Sequence, residues 1–418
     1  MSDEQPDGGT VVEPTEPSVL DRARRVSDHE FAVVGASAVA VLLLPFFLID
    51  VMGVLGTVIG YRIGGYEGLP TLVLVYGIVV IGFNLLLGYT GLLSFGHAAF
   101  FGTAAYGAGI FSAQVSGSPV LLVVVGTLLA TLLAWPIGFM SIRRSGVYFA
   151  VLTLTFGQML YFFALGPGSA LTGGDNGYRA IEVGELFGVI DLGQPLPFVT
   201  TWEYVFVGVF FLAAVTVANR IINSPYGLIF EALGENEQRV EFVGLNVFRY
   251  KLMAFVVSAT FAGAGGALFV MHENYIHPNT GLYWIQSGDF VIMTILGGTG
   301  SLVAPVFGAF LFEYISRVVS GLTLPLLGPI GSLWRVILGG AFVTIVWVFP
   351  RGIYGLLYDF VTFTWWAINN PSGFAEWCVE TAVGTVRWLV RLPVRLVRRV
   401  ETTVRSVLRL VGMGGDSR

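Results

Sequence analysis

The feature that most limits this chain is the recurrence of solid apolar runs along most of its length. They lie at about 31–49, 70–88, 98–115, 119–141, 146–165, 203–222, 252–271, 285–299, 303–320 and 333–350. One helical crossing of the hydrocarbon core takes roughly 20 apolar residues. Only 12% of the residues are charged, about half of the ~25% that a water-facing protein carries. Together these facts exclude a soluble enzyme, a disordered protein, a nucleic-acid binder and a soluble domain on a single anchor. The runs do not alternate, which excludes an outer-membrane barrel. The expected fold class is an all-α polytopic membrane protein with about ten transmembrane helices. The run at 285–299 is short for a crossing, so a tilted helix or a re-entrant segment is expected there. The Gly- and Ala-rich run at 98–115 is a candidate for irregular structure.

Basic residues set the orientation. With the N-terminus inside and ten crossings, eighteen of the 22 Lys and Arg residues fall on the cytoplasmic side, and only Arg62, Arg179, Arg317 and Arg335 fall outside. An N-in, C-in protein, multi-pass in the plasma membrane, is therefore expected. Residues 1–28 are acidic, polar and proline-bearing and read as a disordered cytoplasmic tail. Residues 29–352 form the transmembrane domain. In the remainder, 353–418, Arg387, Arg391, Arg395, Arg398 and Arg399 recur at helical spacing among Trp388, Leu389, Leu392 and Leu396. That pattern reads as a basic amphipathic extension on the anionic inner leaflet.

Residue counts exclude several chemistries. A single cysteine, Cys378, rules out an intramolecular disulfide and a cysteine-based metal cluster. The single lysine, Lys251, follows Tyr250, so the chain has no Gly-Lys pair from which to build a Walker A loop. Neither enzyme chemistry nor a cofactor or metal is expected. An ion-coupled carrier would need several ionisable groups inside the spans, and here Asp289 and Glu313 are the best candidates. Energy is therefore expected to arrive from outside the lipid phase, through another protein.

Two connections stand out. The outer loop 166–202 contains Thr-Gly-Gly-Asp-Asn-Gly at 172–177, a pattern that favours a defined turn. The inner loop 223–250 is long, charged and helix-prone. Its Glu231, Glu235, Glu237, Arg239, Glu241, Arg249 and Lys251 surround Leu233, Val240, Phe242, Val243 and Leu245, and Gly244-Leu245-Asn246 can end one helix and redirect the chain. This suits a short helix docking into a cleft on a soluble protein. The glycine clusters at 88–102, 172–177 and 297–301 have two readings, as breaks lining a pathway or as close packing. Ser94, His97, Thr172, Asp175, Asn176 and Asp289 are the pathway candidates. Thr-Gly-x-Leu recurs at 90–93 and 299–302, a faint echo of the inverted repeats that transporters carry.

The segments NLLLGYTGLLSFGHAAFFGTAAYGAG (84–109), RRSGVYFAVLTLTFGQML (143–160), LTGGDNG (171–177), ALGENEQRVEFVGLNVFRYKLMAFVVSATFAGAGGALF (232–269) and ILGGTGSLVAPVFGAFLFE (295–313) occur in an order that resembles branched-chain amino-acid ABC transporter permeases of the LivM type. Urea and short-amide permeases share this group. The resemblance implies an ABC importer permease fold, a second homologous permease subunit, two cytoplasmic ABC ATPase subunits and an external solute-binding protein. It makes the inner loop the ATPase-coupling loop, with Glu231, Ala232, Glu235, Asn236, Arg239, Glu241, Gly244 and Asn246 as its candidate residues. The loop departs from the Glu-Ala-Ala, three residues, Gly form, because Gln238-Arg239-Val240 stands where that triplet belongs.

Overall fold

A computed structural model describes residues 19–348 apart from 60–65, 197–199, 300, 322, 325–327 and 330–332, together with residues 352 and 355. The expected C-terminal extension and residues 1–18 of the expected tail thus lie outside the described residues, except for residue 355. The helices are α1 (Val19–Pro45), α2 (Met52–Ile59), α3 (Leu69–Asn84), α4 (His97–Gln114), α5 (Pro119–Ser141), α6 (Val147–Leu165), α7 (Ser169–Thr172), α8 (Trp202–Ile222), α9 (Pro225–Glu235), α10 (Glu237–Phe242), α11 (Val247–Glu273), α12 (Pro278–Gly281), α13 (Trp284–Gly297), α14 (Ala304–Ser320) and α15 (Trp334–Val348). A two-residue antiparallel ladder, β1 (Thr323–Leu324) with β2 (Gly328–Pro329), lies between α14 and α15.

Each of the ten apolar runs falls on a helix. Among the described residues, six helical segments are long and apolar enough to cross a membrane: Ala32–Val58, Leu69–Tyr89, Pro119–Ser141, Val147–Leu165, Trp202–Ile222 and Val247–Glu273. The chain is an all-helical, multi-pass membrane protein in its described transmembrane part. Three expectations need correction. Helix α1 starts at Val19, so residues 19–28 are not a disordered tail. No proline follows Pro17 until Pro45, and the Leu, Arg and Ala of that stretch favour helix. Next, α4 is a regular helix despite its glycines, and the irregular stretch is 90–96, just before it. Finally, the two Thr-Gly-x-Leu segments lie at the same end of the bundle. The Asn84 amide donates to the Ser301 carbonyl at 3.0 Å, and a methyl at Gly88 would sit 3.1 Å from the Thr299 carbonyl. An inverted pair would place them at opposite ends.

Helix α3 is apolar on every face, and all its residues are buried, as a helix without a polar stripe must be. Together with α11 and α4 it forms the centre of the bundle, and α5, α8, α13 and α14 pack around this centre. Small residues let the helices close up. A side chain at Gly266 would strike the Phe101 carbonyl of α4, and one at Gly308 would strike the Met293 carbonyl of α13. In lipid, such close backbone approach supplies the packing that a hydrophobic driving force between helices cannot. The outer helices expose apolar side chains instead, among them Leu128, Leu132, Trp135, Val151 and Phe162 of α5 and α6.

The loops gather at two ends. One end holds the α5–α6 turn, α9, α10 and the 90–96 and 301–303 segments. There Arg143, Arg144, Glu237, Glu241 and Lys251 share one cleft, and Gly91 packs near Gly234. The other end holds α7, α12 and the 178–196 loop. That loop is pinned by the Tyr178–Ile276 bridge, by the Glu182 amide donating to Ser112 Oγ at 2.9 Å, and by the Gly184 amide donating to the Gly117 carbonyl at 2.8 Å.

Candidate functional site

The inner loop, read from the sequence as a short helix ended at Gly244-Leu245-Asn246, folds as two short helices, α9 and α10. Ser224 caps α9 through its Oγ, which accepts from the Tyr226 amide at 3.2 Å, and Pro225 takes the first helical position. Asn236 ends α9 and caps α10, its Oδ1 accepting from the Arg239 amide at 3.2 Å. Gly244 closes α10 with φ +87°. Its amide donates to the Glu241 carbonyl at 2.9 Å, and the Leu245 amide donates to the Val240 carbonyl at 3.3 Å, the paired bonds of a Schellman motif. Asn246 then caps α11 by accepting from the Arg249 amide at 3.2 Å.

This double helix-turn buries Gly227, Phe230, Leu233 and Val240 against the bundle. Glu231, Ala232, Glu235, Arg239 and Glu241 all face outward, exposed. So does an apolar tip, with Phe242 88% and Val243 79% exposed. Two large apolar side chains at the end of a charged helix are an exposed patch of the kind that marks a docking surface.

One ion pair ties the loop to the core. The ammonium of Lys251, on α11, meets the carboxylate of Glu237, on α10, and their side chains are 5% and 44% exposed. As a pair it was not legible from spacing, although Lys251 is the chain's only lysine. The unequal burial predicts unequal mutants. Glu237→Gln strands a buried ammonium, which costs about 3 kcal/mol. Lys251→Met removes the charge from the core and leaves Glu237 half in water, which costs below about 1 kcal/mol. Thermal melting of the purified protein should therefore fall further for Glu237→Gln. Equal drops, or the reverse order, would sink this reading of the pair.

A second constellation lies at the same end, deeper in the bundle. Between α3 and α4 the chain is irregular at 90–96, which is tolerated in a membrane only when buried in protein and hydrogen-bonded. Side-chain hydroxyls from distant helices do this. Thr153 Oγ1 of α6 accepts from the Phe95 amide at 3.2 Å, and Ser287 Oγ of α13 accepts from the Ala98 amide at 2.8 Å. His97 is fully buried, with Nδ1 at 2.9 Å from Ser94 Oγ and Nε2 at 2.8 Å from Ser258 Oγ of α11. Its ring also meets Phe83, Phe100 and Phe255 edge-on, at 4.8, 5.5 and 5.7 Å between centroids. Ser94 and His97 thus join α4 to α11. Thr153, Ser258 and Ser287 went unnoticed in the sequence, where the only sign of them was a hydroxyl inside an apolar run.

Thr172, Asp175 and Asn176 lie at the opposite end. Thr172 Oγ1 donates to the Ala164 carbonyl at 2.6 Å, and the residue borders an apolar pocket with Tyr106, Gln114, Leu160 and Phe163. Gly173, Gly174 and Gly177 all have positive φ, the defined turn expected of this segment. Asp175 and Asn176 are exposed, and the Asp175 carbonyl accepts from His277 Nε2 at 2.9 Å. Asp289 stands apart on α13, partly buried. The pathway candidates therefore form a pair at the end that holds α9 and α10, a trio at the opposite end and a single carboxylate rather than one cluster.

The family model described as "Branched-chain amino acid transport system / permease component" matches residues 65–346. Among curated proteins, the chain is 28% identical over 313 residues to the high-affinity branched-chain amino acid transport system permease protein LivM of Escherichia coli (strain K12), covering 69% of this chain and 70% of that protein. It is 26% identical over 310 residues to the Salmonella typhimurium protein of the same name, with the same coverage. A shorter likeness, 29% over 107 residues, covers 25% of this chain and 30% of the autoinducer 2 import system permease protein LsrC of Yersinia pseudotuberculosis serotype O:1b. The match over 65–346 takes in α3 to α14 and with them the capped inner loop, the buried break and the outer turn, so this chain belongs to the branched-chain amino acid transport system permease family.

Proposed function

We propose that this chain is a membrane-spanning subunit of an ATP-driven ABC importer in the plasma membrane, with leucine, isoleucine and valine as its substrate type. The observation that carries the reading is the α9–α10 loop: capped at every turn, apolar at its exposed tip, and tied by Glu237–Lys251 to a core helix. The family and the LivM relatives support the substrate class. A second homologous permease subunit, two cytoplasmic ABC ATPase subunits and an external binding protein complete the importer.

The mechanism is alternating access. Closure of the ATPases on ATP moves α9 and α10 as a unit, with Glu231, Glu235, Arg239 and Glu241 on the docking face and Asn236, Gly244 and Asn246 holding its shape. The Glu237–Lys251 pair passes that movement to α11. Helix α11 packs on α3, α4 and α5, and through Ser258 it holds His97 at the start of α4. A shift of the loop thereby reaches the break at 90–96. Thr172, Asp175 and Asn176 sit at the outer mouth, and Asp289 lines the path within the membrane. The clustering of the inner loop with Arg143 and Arg144 at one end supports the N-in, C-in orientation.

The test is uptake of labelled leucine, isoleucine, valine, urea and acetamide in cells with and without this chain, with ATP held up while ion gradients are collapsed. Loss of leucine-type uptake that survives gradient collapse is the expected result. Loss of urea or amide uptake alone would keep the ABC mechanism and replace the substrate. Dependence on the ion gradient would overturn the mechanism in favour of an ion-coupled carrier. The partial likeness to LsrC makes autoinducer 2 a further compound for the same assay.

A further inference from the structure

Two charged side chains are buried among the described residues, Lys251 and Glu313. Lys251 has its counter-ion in Glu237. Glu313, the tenth residue of α14 and 9% exposed, has no hydrogen bond and no ion pair within 4 Å among the described residues. Asp289, the sixth residue of α13, has none there either. A carboxylate held in protein for structural reasons is paired or hydrogen-bonded, because taking its charge out of water is otherwise too costly. An unpaired one at membrane depth faces a water-filled path or an absent cation.

The surroundings of the two carboxylates are polar and of mixed sign. Helix α13, which carries Asp289, packs on α14, which carries Glu313, and both pack on α15, whose second residue is Arg335; Arg317 lies one turn along α14 from Glu313. Tyr76 of the central helix α3 completes the set. Its ring lies 6.2 Å from that of Phe290, the neighbour of Asp289. Four helices, α3, α13, α14 and α15, thus bring two unpaired carboxylates, two guanidinium groups and a phenol to one side of the bundle. This is a second polar locus, distinct from the hydroxyl-satisfied histidine at the inner end, where both ring nitrogens have partners.

We propose that the α13–α14 face bearing Asp289 and Glu313 is the point on this chain where a zwitterionic amino acid is passed through the membrane, the two carboxylates taking its ammonium group and Arg317 and Arg335 its carboxylate. The proposal rests on the reading of the chain as an amino-acid permease and goes beyond it by assigning the recognising groups. A neutral substrate such as urea would need neither sign of charge, and a simple cation would be opposed by the two arginines. Neither group of a zwitterion is left unpaired here, which fits a carrier that must lower the cost of moving both charges together. The binding protein delivers the ligand and sets its affinity. Loss of this site therefore slows transfer without changing the concentration of half-maximal uptake.

The test uses the whole importer in cells, with Cys378→Ser as the background. Glu313→Gln and Asp289→Asn should each lower the maximal rate of leucine uptake at least ten-fold, with half-saturation unchanged, while Glu313→Asp keeps a third or more of the rate. In parallel, Glu313→Cys should be labelled from outside by a membrane-impermeant cationic thiol reagent, and leucine with its binding protein should slow that labelling. Wild-type rates in both neutralised variants would overturn the proposal. If Glu313→Gln instead lowers the amount of complex in the membrane, the labelling decides: a thiol at this position that does not react, or that leucine does not protect, makes Glu313 a structural residue and overturns the site. If the unmodified chain supports no amino-acid uptake at all, the failure lies with the functional reading and not with this face alone.

Discussion

Replacing Phe242 by aspartate is expected to abolish ATP-driven uptake while leaving the chain folded. The side chain touches almost nothing in the permease, being 88% exposed at the last position of α10. Surface changes of that kind usually move stability by within ~0.5 kcal/mol. Docked on an ATPase, the same side chain is a different object. Burying a phenylalanine contributes about 1.5–3 kcal/mol, and binding energy concentrates on aromatic anchors near the centre of an interface. Aspartate removes that contribution and also places an uncompensated charge in the cleft. At about 1.4 kcal/mol per factor of ten in affinity, a loss of about 3 kcal/mol or more weakens docking by over a hundred-fold. Two measurements settle it, co-purification of the ATPase subunits and leucine uptake. Both should collapse in the variant while its melting temperature stays within a degree or two of the unmodified protein. Retention of half the uptake or more would remove the α10 tip from the coupling surface. Phe242→Leu, which keeps an apolar tip, should retain most of the activity.

The parts of this molecule that can be read in its sequence are those whose causes are local. Each apolar run became a helix because run length alone decides what can sit in hydrocarbon. The inner loop is equally legible. Gly244-Leu245-Asn246 marks a helix end by a rule that needs no tertiary knowledge, and the structure closes α10 at Gly244 and caps α11 with Asn246 there. Legibility stops where the cause is distant. Nothing near residue 97 announces that its ring will be held by Ser258, 161 positions on, or that the Ala98 amide will find Ser287. Glycine misled in one place for the same reason. The glycines of α4 suggested an irregular helix, yet they are where α4 meets other backbones, as Gly102 does with Gly281, and close approach between helices leaves no period in the sequence. The pathway candidates failed to converge for a related reason. Polar residues inside apolar runs satisfy buried backbone as often as they line a path, and only their hydrogen bonds separate the two uses. Ser94 and His97 have those bonds; Asp289 has none among the described residues.

His97→Ala is expected to cost the importer its stability and, through that, more than nine-tenths of its uptake. An imidazole with one N–H and one bare nitrogen can serve two hydroxyls at once, since each hydroxyl both donates and accepts. His97 does this between Ser94 and Ser258 at 2.9 and 2.8 Å. Alanine deletes both bonds. Inside a membrane such bonds average about 0.6 kcal/mol and reach about 1.7, so they do not explain a collapse on their own. Packing contributes more. The ring fills the space between Phe83, Phe100 and Phe255, and removing a large buried side chain leaves a cavity that costs about 3–5 kcal/mol. The same change leaves two buried hydroxyls to find new partners. Ser258→Ala separates the hydrogen bond from the packing. It deletes one bond and little volume, so it should lower the melting temperature by a small fraction of the drop seen in His97→Ala. Equal drops would show that the hydrogen bond and not the ring holds α4 to α11. A His97→Ala protein that melts and transports like the unmodified one would show that the break at 90–96 is held by Thr153 and Ser287 alone. Substitutions at the tip and in the core thus fail in opposite ways, and that contrast is the mechanism's signature. Phe242→Asp should leave a stable permease that its ATPases cannot grip, whereas His97→Ala should leave an intact docking tip on a bundle that no longer carries the stroke.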